Sequence, residues 1–187
     1  MLKEGDKVPN FSLESDSGKR VSLSDFAGKT LVLYFYPKDS TPGCTREAIA
    51  FTASRRAIEK AGGAVVGVSR DSIKSHCSFR DKYALDIPLL SDPDLTLHKA
   101  FGAWGEKMMY GKKITGVLRS TFLVRDGRVV RAFPSVKVDG HADQVLAALS
   151  GAPAAKTKPA TKAKPAAKAK AAAKPSPKAK KPAAKKK

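Results

Sequence analysis

Cysteine is almost absent from this 187-residue chain: there are two, Cys44 and Cys77. Two thiols build no disulfide framework of the secreted kind. In a reducing compartment such a pair points to catalytic or redox chemistry. There is no C-x-x-C, which argues against a dithiol reductase. The histidines His76, His98 and His141 stand at no metal-ligand spacing from one another or from the cysteines, so no metal or other cofactor is expected. No apolar run approaches the ~20 residues needed to cross a bilayer. The opening segment Met1–Asp6 also lacks the apolar stretch of a signal peptide. A cytoplasmic protein without membrane contact is the expectation.

Acid is missing from one stretch altogether. From Gly151 to Lys187 there are 13 lysines and no arginine, aspartate or glutamate, so of the net charge of +19 only +6 belongs to residues 1–150. The same stretch has no aromatic residue and no Leu, Ile or Val. It is broken by Pro153, Pro159, Pro165, Pro175, Pro177 and Pro182. Nothing in it offsets the entropy of ordering, and no long helix survives that proline spacing. The chain therefore divides into a folded body, 1–150, and a disordered Lys/Ala/Pro tail, 151–187.

The tail lysines are Lys156, Lys158, Lys162, Lys164, Lys168, Lys170, Lys174, Lys178, Lys180, Lys181, Lys185, Lys186 and Lys187. A flexible polycation of this kind binds polyanions by counterion release with little sequence preference, and without aromatics it does not stack on bases. The tail resembles those of linker histones and some bacterial nucleoid proteins. Nonspecific DNA or RNA is thus a candidate partner and the nucleoid a candidate location. The plain alternative is a solubilising extension.

The body alternates strands and helices. Phe11–Leu13 and Arg20–Ser22 flank a turn cluster and predict a hairpin. Leu31–Tyr36 is a continuous apolar run suited to a central strand buried on both faces. Cys44, Ala48, Phe51 and Ile58 recur at helical spacing up to Gly62-Gly63. Ala64–Ser69 predicts a strand, and a helix capped by Asp71 or Ser72 runs to about Tyr83 carrying Cys77. A short strand and turn at Pro88–Pro93 and a helix near Leu95–Phe101 follow. Asp126-Gly127 divides a hairpin, Ser120–Val124 and Val129–Phe133, and a final helix spans Ala142–Leu149. Trp104, Met108 and Met109 read as a partly exposed loop packing on the body, well placed to rim a substrate mouth. The order implies an α/β fold: a thioredoxin-like layered sandwich with a central mixed β-sheet.

The segment that carries chemistry is Pro37-Lys38-Asp39-Ser40-Thr41-Pro42-Gly43-Cys44. A buried strand runs into a Pro/Gly turn that delivers a thiol to a helix start. There the backbone N–H groups and the helix dipole favour a thiolate, lowering a cysteine pKa from ~8.5 to ~3.5–7.5 at such sites. A thiolate can attack one oxygen of a peroxide while the other leaves, provided charge on both oxygens is stabilised. Thr41 offers a hydroxyl one turn upstream of the sulfur. Pro37 and Pro42 shape a small mouth that limits water. Arg119, before the predicted strand 120–124, is a candidate cation, although an arginine there is ordinarily a surface residue. His76 is expected to be solvated, since its neighbour Cys77 points about 100° away around the helix.

The spacing P-x-x-x-T-x-x-C resembles the active-site signature of the peroxiredoxins. Further segments sharpen the likeness: Tyr34–Asp39, Gly67–Ser72, Trp104–Lys107 with Tyr110–Lys113, and Arg119–Phe122 look like the bacterioferritin-comigratory, or PrxQ, subgroup. The resemblance covers roughly residues 3–150. It implies a thiol peroxidase acting on hydrogen peroxide and organic hydroperoxides, often monomeric and recycled by thioredoxin or a similar thiol reductant. Cys44 would be the peroxidatic cysteine, Thr41 and Arg119 its activators, and Pro37 the pocket proline.

Some members of that subgroup place a resolving cysteine five positions after the peroxidatic one, where this chain has Ile49. Others place it on the following helix, where Cys77 lies about one turn earlier than the pattern. A three-residue shift keeps roughly the same helix face, so Cys77 can serve as resolving cysteine through an intramolecular disulfide. The alternative is a buried inert thiol. Two rival readings remain at this stage: a one-cysteine peroxidase reduced by an external thiol, and a nucleoid-associated DNA-binding protein on a thioredoxin-like body.

Overall fold

A computed structural model describes residues 1–109 and 111–151. The predicted disorder of the tail, and its lysines 156–187, lie outside the described residues. Nine strands and four α-helices follow in chain order: β1 Ser12–Ser15, β2 Arg20–Ser22, β3 Thr30–Phe35, α1 Pro42–Lys60, β4 Gly63–Ser69, α2 Ile73–Tyr83, β5 Leu89–Ser91, α3 Thr96–Phe101, β6 Trp104–Met109, β7 Lys112–Val117, β8 Ser120–Arg125, β9 Arg128–Phe133 and α4 His141–Leu149.

Seven strands form one mixed sheet in the order β2-β1-β5-β4-β3-β8-β9. Every residue of β3 is buried because it is flanked on both edges and covered on both faces. It runs parallel to β4, with Val32 opposite Val65, and antiparallel to β8, with Leu33 opposite Phe122. Alternate side chains serve opposite layers. Val32, Tyr34 and Tyr36 pack under α1, α2 and α4 with Phe51, Phe79 and Val145. Leu31, Leu33 and Phe35 pack on the other face with Phe101 of α3 and with Trp104. Gly67 permits Tyr34 its place: a Cβ there would stand 2.6 Å from the tyrosine hydroxyl oxygen. This is the layered α/β sandwich expected, with helices on both faces of the sheet.

One element departs from the sequence reading. The segment expected to be a loop around Trp104 and Met108 is a two-stranded antiparallel hairpin, β6 with β7, pairing Trp104 with Val117 and Met109 with Lys112. Its lysines and glycines obscure any alternation, and only its base enters the core: Val117 is buried while Met108 is 65% exposed. Gly111, at φ +76°, supplies the left-handed turn residue. The sheet edge carries a further strip of chain. Residues preceding β1 run beside β9, where the Gly5 N–H donates to the Val129 carbonyl at 2.7 Å and the Val129 N–H to the Asp6 carbonyl at 3.0 Å.

Candidate active site

The C-terminal end of β3 releases the chain into the loop 37–41, and the loop turns back at Ser40, which takes a φ of +57°. Thr41 is extended and caps α1, and Pro42 fills the first helical position, where its missing N–H costs nothing. Cys44 therefore sits at the third helical position, on the inner face with Ala48 and Phe51, and is 1% exposed. The Thr45 N–H closes the first turn onto the Thr41 carbonyl at 2.8 Å. The N–H groups of Gly43 and Cys44 meet no acceptor among the described residues, as the opening turn of a helix dictates. Two unused donors and the positive helix end thus surround the sulfur.

Arg119 lies in the connection between β7 and β8, and it is not a surface residue. Its Nη2 donates to Cys44 Sγ at 3.1 Å, while Nη1 donates to and pairs with Glu47 Oε2. Burial works against the guanidinium charge, but Glu47 and Cys44 together hold its pKa above the ordinary arginine value. Burial pushes the Glu47 carboxyl up to about 7, with Arg119 pulling the other way. Pro37 and Arg119 share a cleft of about 290 Å³ with Leu118 and Pro134. Pro37 also lines a larger neighbouring cleft of about 470 Å³ with Trp104, Lys107 and Ile114. The structure therefore brings Pro37, Cys44 and Arg119 to one place.

Thr41 is beside them, but its hydroxyl donates to the Lys38 carbonyl at 3.0 Å rather than to the sulfur. Its lone pairs remain free to accept.

His76 corrects the sequence reading: it is fully buried. Its Nδ1 lies 2.9 Å from Asp39 Oδ2 and its Nε2 lies 3.2 Å from the Leu90 carbonyl. Helical spacing alone placed His76 on α2 but not against the loop that folds over it. Asp39 also accepts from the Tyr36 hydroxyl at 2.8 Å and the Ser75 hydroxyl at 2.7 Å. Burial would push Asp39 up, but His76, Ser75 and Tyr36 outweigh it and hold the carboxyl below its usual range. The loop before Cys44 is thereby tied to the first turn of α2.

Cys77 is half-buried on α2, and its thiol donates to the Asp16 carbonyl at 3.1 Å, in the turn between β1 and β2. Cys44 lies over β3, and the sheet order β1-β5-β4-β3 puts three strand spacings between those two places, about 14 Å. The two cysteines are not brought together in this state, since bridging demands Cα atoms within ~7 Å. Sequence reasoning missed Glu47, Asp39 and His76 as site residues. Glu47 alone had a local signal, three residues after Cys44 on the same helix face. Among the described residues no cluster of three His, Cys, Asp or Glu side chains is arranged to hold a metal. No described helix is long and apolar enough to cross a membrane.

A family model described as the AhpC/TSA family matches residues 4–133. The chain belongs to the AhpC/TSA family of peroxiredoxins. Peroxiredoxin Bcp of Xanthomonas campestris pv. campestris is 52% identical over 138 residues, covering 73% of this chain and 86% of that protein. Peroxiredoxin Bcp of Escherichia coli K12 is 41% identical over 146 residues, covering 78% of this chain and 94% of the relative. A solved structure of the Xanthomonas campestris bacterioferritin comigratory protein, described for its alkyl peroxide reduction activity, superposes with a TM-score of 0.72 at 47% identity. It matches 78% of this chain and 98% of its own. The fold of this peroxiredoxin is accordingly thioredoxin-like, and its relatives are of the Bcp, or PrxQ, type. Membership makes the chain a thiol peroxidase that works through a peroxidatic cysteine.

Proposed function

We propose that Cys44 is the peroxidatic cysteine and that it reduces hydrogen peroxide and organic hydroperoxides, including the alkyl peroxides named for the Xanthomonas relative. The observation that carries this reading is the 3.1 Å contact from Arg119 Nη2 to Cys44 Sγ beside two unused N–H donors. Sulfur attacks the distal oxygen of the hydroperoxide, the O–O bond breaks, and the proximal oxygen leaves as alkoxide and is protonated. Cys44 is oxidised to the sulfenic acid as the peroxide is reduced to alcohol or water. The guanidinium and the N–H groups stabilise charge on sulfur and on the oxygens. Pro37 walls the approach, and Thr41 accepts a hydrogen bond from the incoming hydroperoxide.

Cys77 then resolves the sulfenic acid: its sulfur displaces water and an intramolecular disulfide forms, which thioredoxin or a similar thiol reductant reopens. The first turn of α1 must unwind for this, because Cys77 starts about 14 Å away across the sheet. The same separation favours a second reading, in which an external thiol reduces Cys44 directly. The enzyme acts as a cytoplasmic monomer, and its lysine tail tethers it to nucleic acid at the nucleoid. The rival in which the body is an incidental carrier for DNA binding would lose its only activity on removal of residues 151–187, whereas a peroxidase keeps its rate.

The test is intact mass after one equivalent of hydrogen peroxide, with Cys77→Ser in parallel. Loss of two hydrogens in the wild type and gain of one oxygen in the variant is expected. Added oxygen in both makes the protein a one-cysteine peroxidase. No rapid change in either removes Cys44 from the reaction.

A further inference from the structure

Glu47 is the one acid that shares the cation of Cys44, and its surroundings do not suit a permanent charge. The side chain is 1% exposed, Oε2 faces Arg119, and Oε1 has no hydrogen-bond partner among the described residues. The buried Tyr34 hydroxyl oxygen, which Glu47 and Cys44 influence, is likewise unsatisfied among the described residues. A buried carboxylate with one bare oxygen is costly, and a second anion on the same guanidinium makes it more so. Cys44 and Glu47, three residues apart on one helix face, form such a pair around Arg119.

The geometry points to a single proton shared between Cys44 and Glu47: when Cys44 is thiolate, Glu47 holds the proton, and Glu47 gives it up as the peroxide is cleaved. The balance closes without an outside proton. Protonated Glu47 and Cys44 thiolate meet a hydroperoxide ROOH. The S–O bond forms to the distal OH, the O–O bond breaks, and the alkoxide ends as ROH with the proton from Glu47. The products are Cys44 sulfenic acid and Glu47 carboxylate, with sulfur oxidised by two electrons and the peroxide reduced by two. Neutral sulfenic acid no longer competes for Arg119, so the carboxylate takes the guanidinium to itself. Glu47 thus sets the charge on the sulfur through Arg119 and supplies the proton that the leaving alkoxide takes up. The inference rests on the assignment of Cys44 as the peroxidatic residue.

The groups facing this pair are few. Arg119 arrives from the β7–β8 connection, Tyr34 from β3, and His141, on which the Arg119 charge acts, from α4. Asp39 acts on Tyr34 from the loop, and Tyr36 is stacked on Tyr34 with ring centres 5.4 Å apart. Burial holds both tyrosines well above their ordinary pKa, and burial with the Arg119 charge pushes His141 down to about 4. Near neutral pH those three are uncharged, and Glu47 and Cys44 are left to divide the proton. The carboxyl's own upward displacement to about 7 agrees.

The test uses the full chain with Cys77→Ser, so that Cys44 is the single thiol. Difference infrared spectroscopy near neutral pH should show a protonated-carboxyl stretch that disappears on adding an alkyl hydroperoxide and is absent from Glu47→Gln. Glutamine keeps an acceptor for Arg119 but no charge. In that variant the thiolate absorbance and the acid limb of the peroxide-reduction rate should therefore move down by about one pH unit or more. Oxidation of Cys44, seen by mass, with no change in any carboxyl band overturns the shared proton and leaves the peroxidatic assignment standing. So does a Glu47→Gln midpoint that stays put or rises, the signature of a merely mispositioned Arg119. Failure of Cys44 to gain oxygen strikes the peroxidatic assignment itself.

Discussion

Asp39 Oδ2 stands 2.9 Å from His76 Nδ1, and this contact fastens the loop that leads to Cys44 onto the helix that carries Cys77. Both ring nitrogens of His76 face oxygen acceptors, since Nε2 looks at the Leu90 carbonyl. The backbone adds a second fastening, from the Asp39 N–H to Asp71 Oδ2 at 2.8 Å. The latch holds the loop and the first turn of α2 in their present relation.

Breaking the latch should cost stability and speed disulfide formation. Leaving one partner of a buried hydrogen bond unsatisfied costs about 1–3 kcal/mol. Asp39→Asn or His76→Ala is therefore expected to lower the thermal midpoint by several degrees while shortening the lag between sulfenic acid and disulfide. Calorimetry and rapid-quench mass analysis read the two effects separately.

Arg119 serves sulfur with one nitrogen and Glu47 with the other, so lysine is not an equivalent. Arg119→Met is expected to reduce kcat/KM for hydroperoxide about 10²–10³-fold, the range for losing a donor aimed at developing charge. Arg119→Lys should recover only part of that. Stopped-flow measurement of peroxide reduction, with circular dichroism as a check on folding, decides it.

The fold should weaken on the acid side of neutrality through His141. This histidine is buried against Phe51 and Phe133, its Nε2 is 2.8 Å from the Thr121 hydroxyl, and its pKa falls from 6.5 to about 4 through burial and the Arg119 charge. A depressed folded-state pKa means that the stability it protects is whole above pH 6.5 and is lost as pH falls toward about 4. The loss is on the order of 3 kcal/mol. Urea unfolding of the wild type and His141→Gln across that window should show the slope in the first and its reduction in the second.

The tail should bind duplex DNA in a salt-dependent way. If ~6–10 lysines meet phosphates, affinity falls roughly 10³–10⁵-fold between 50 and 200 mM salt. Deleting residues 151–187 should abolish the binding and leave the peroxidase rate unchanged. A titration of labelled duplex at several salt concentrations measures the slope.

Local pattern carried much of this molecule into view. The apolar run ending at Tyr36, the turn through Pro42 and the helix bearing Cys44 were legible because each rests on neighbouring residues. The Asp126-Gly127 hairpin was legible too: both residues take positive φ, +51° and +70°, as their types allow. What escaped is non-local. Glu47 meets its partner 72 residues along the chain and Asp39 meets His76 37 along, and periodicity carries no information about such pairs. The β6–β7 hairpin escaped for another reason. It makes its own ladder outside the main sheet and needs little apolar alternation to do so. Arg119 was a candidate on position alone and became specific only through family likeness.

The strip of chain lying beside β9 has a consequence for how copies of this protein meet. An open strand edge is a template for another strand, and it is the usual route to edge-to-edge polymerisation. Here Gly5 and Asp6 already occupy the hydrogen bonds of Val129, and the Arg128 guanidinium is turned onto the Gly5 carbonyl at 3.0 Å. The opposite edge, β2, is three residues long. The leading segment thus covers the start of the β9 edge, at Val129, and the other edge offers almost no length. Both ends of the sheet therefore present a second copy with little bare backbone to extend, one because it is partly sheathed and the other because it is short.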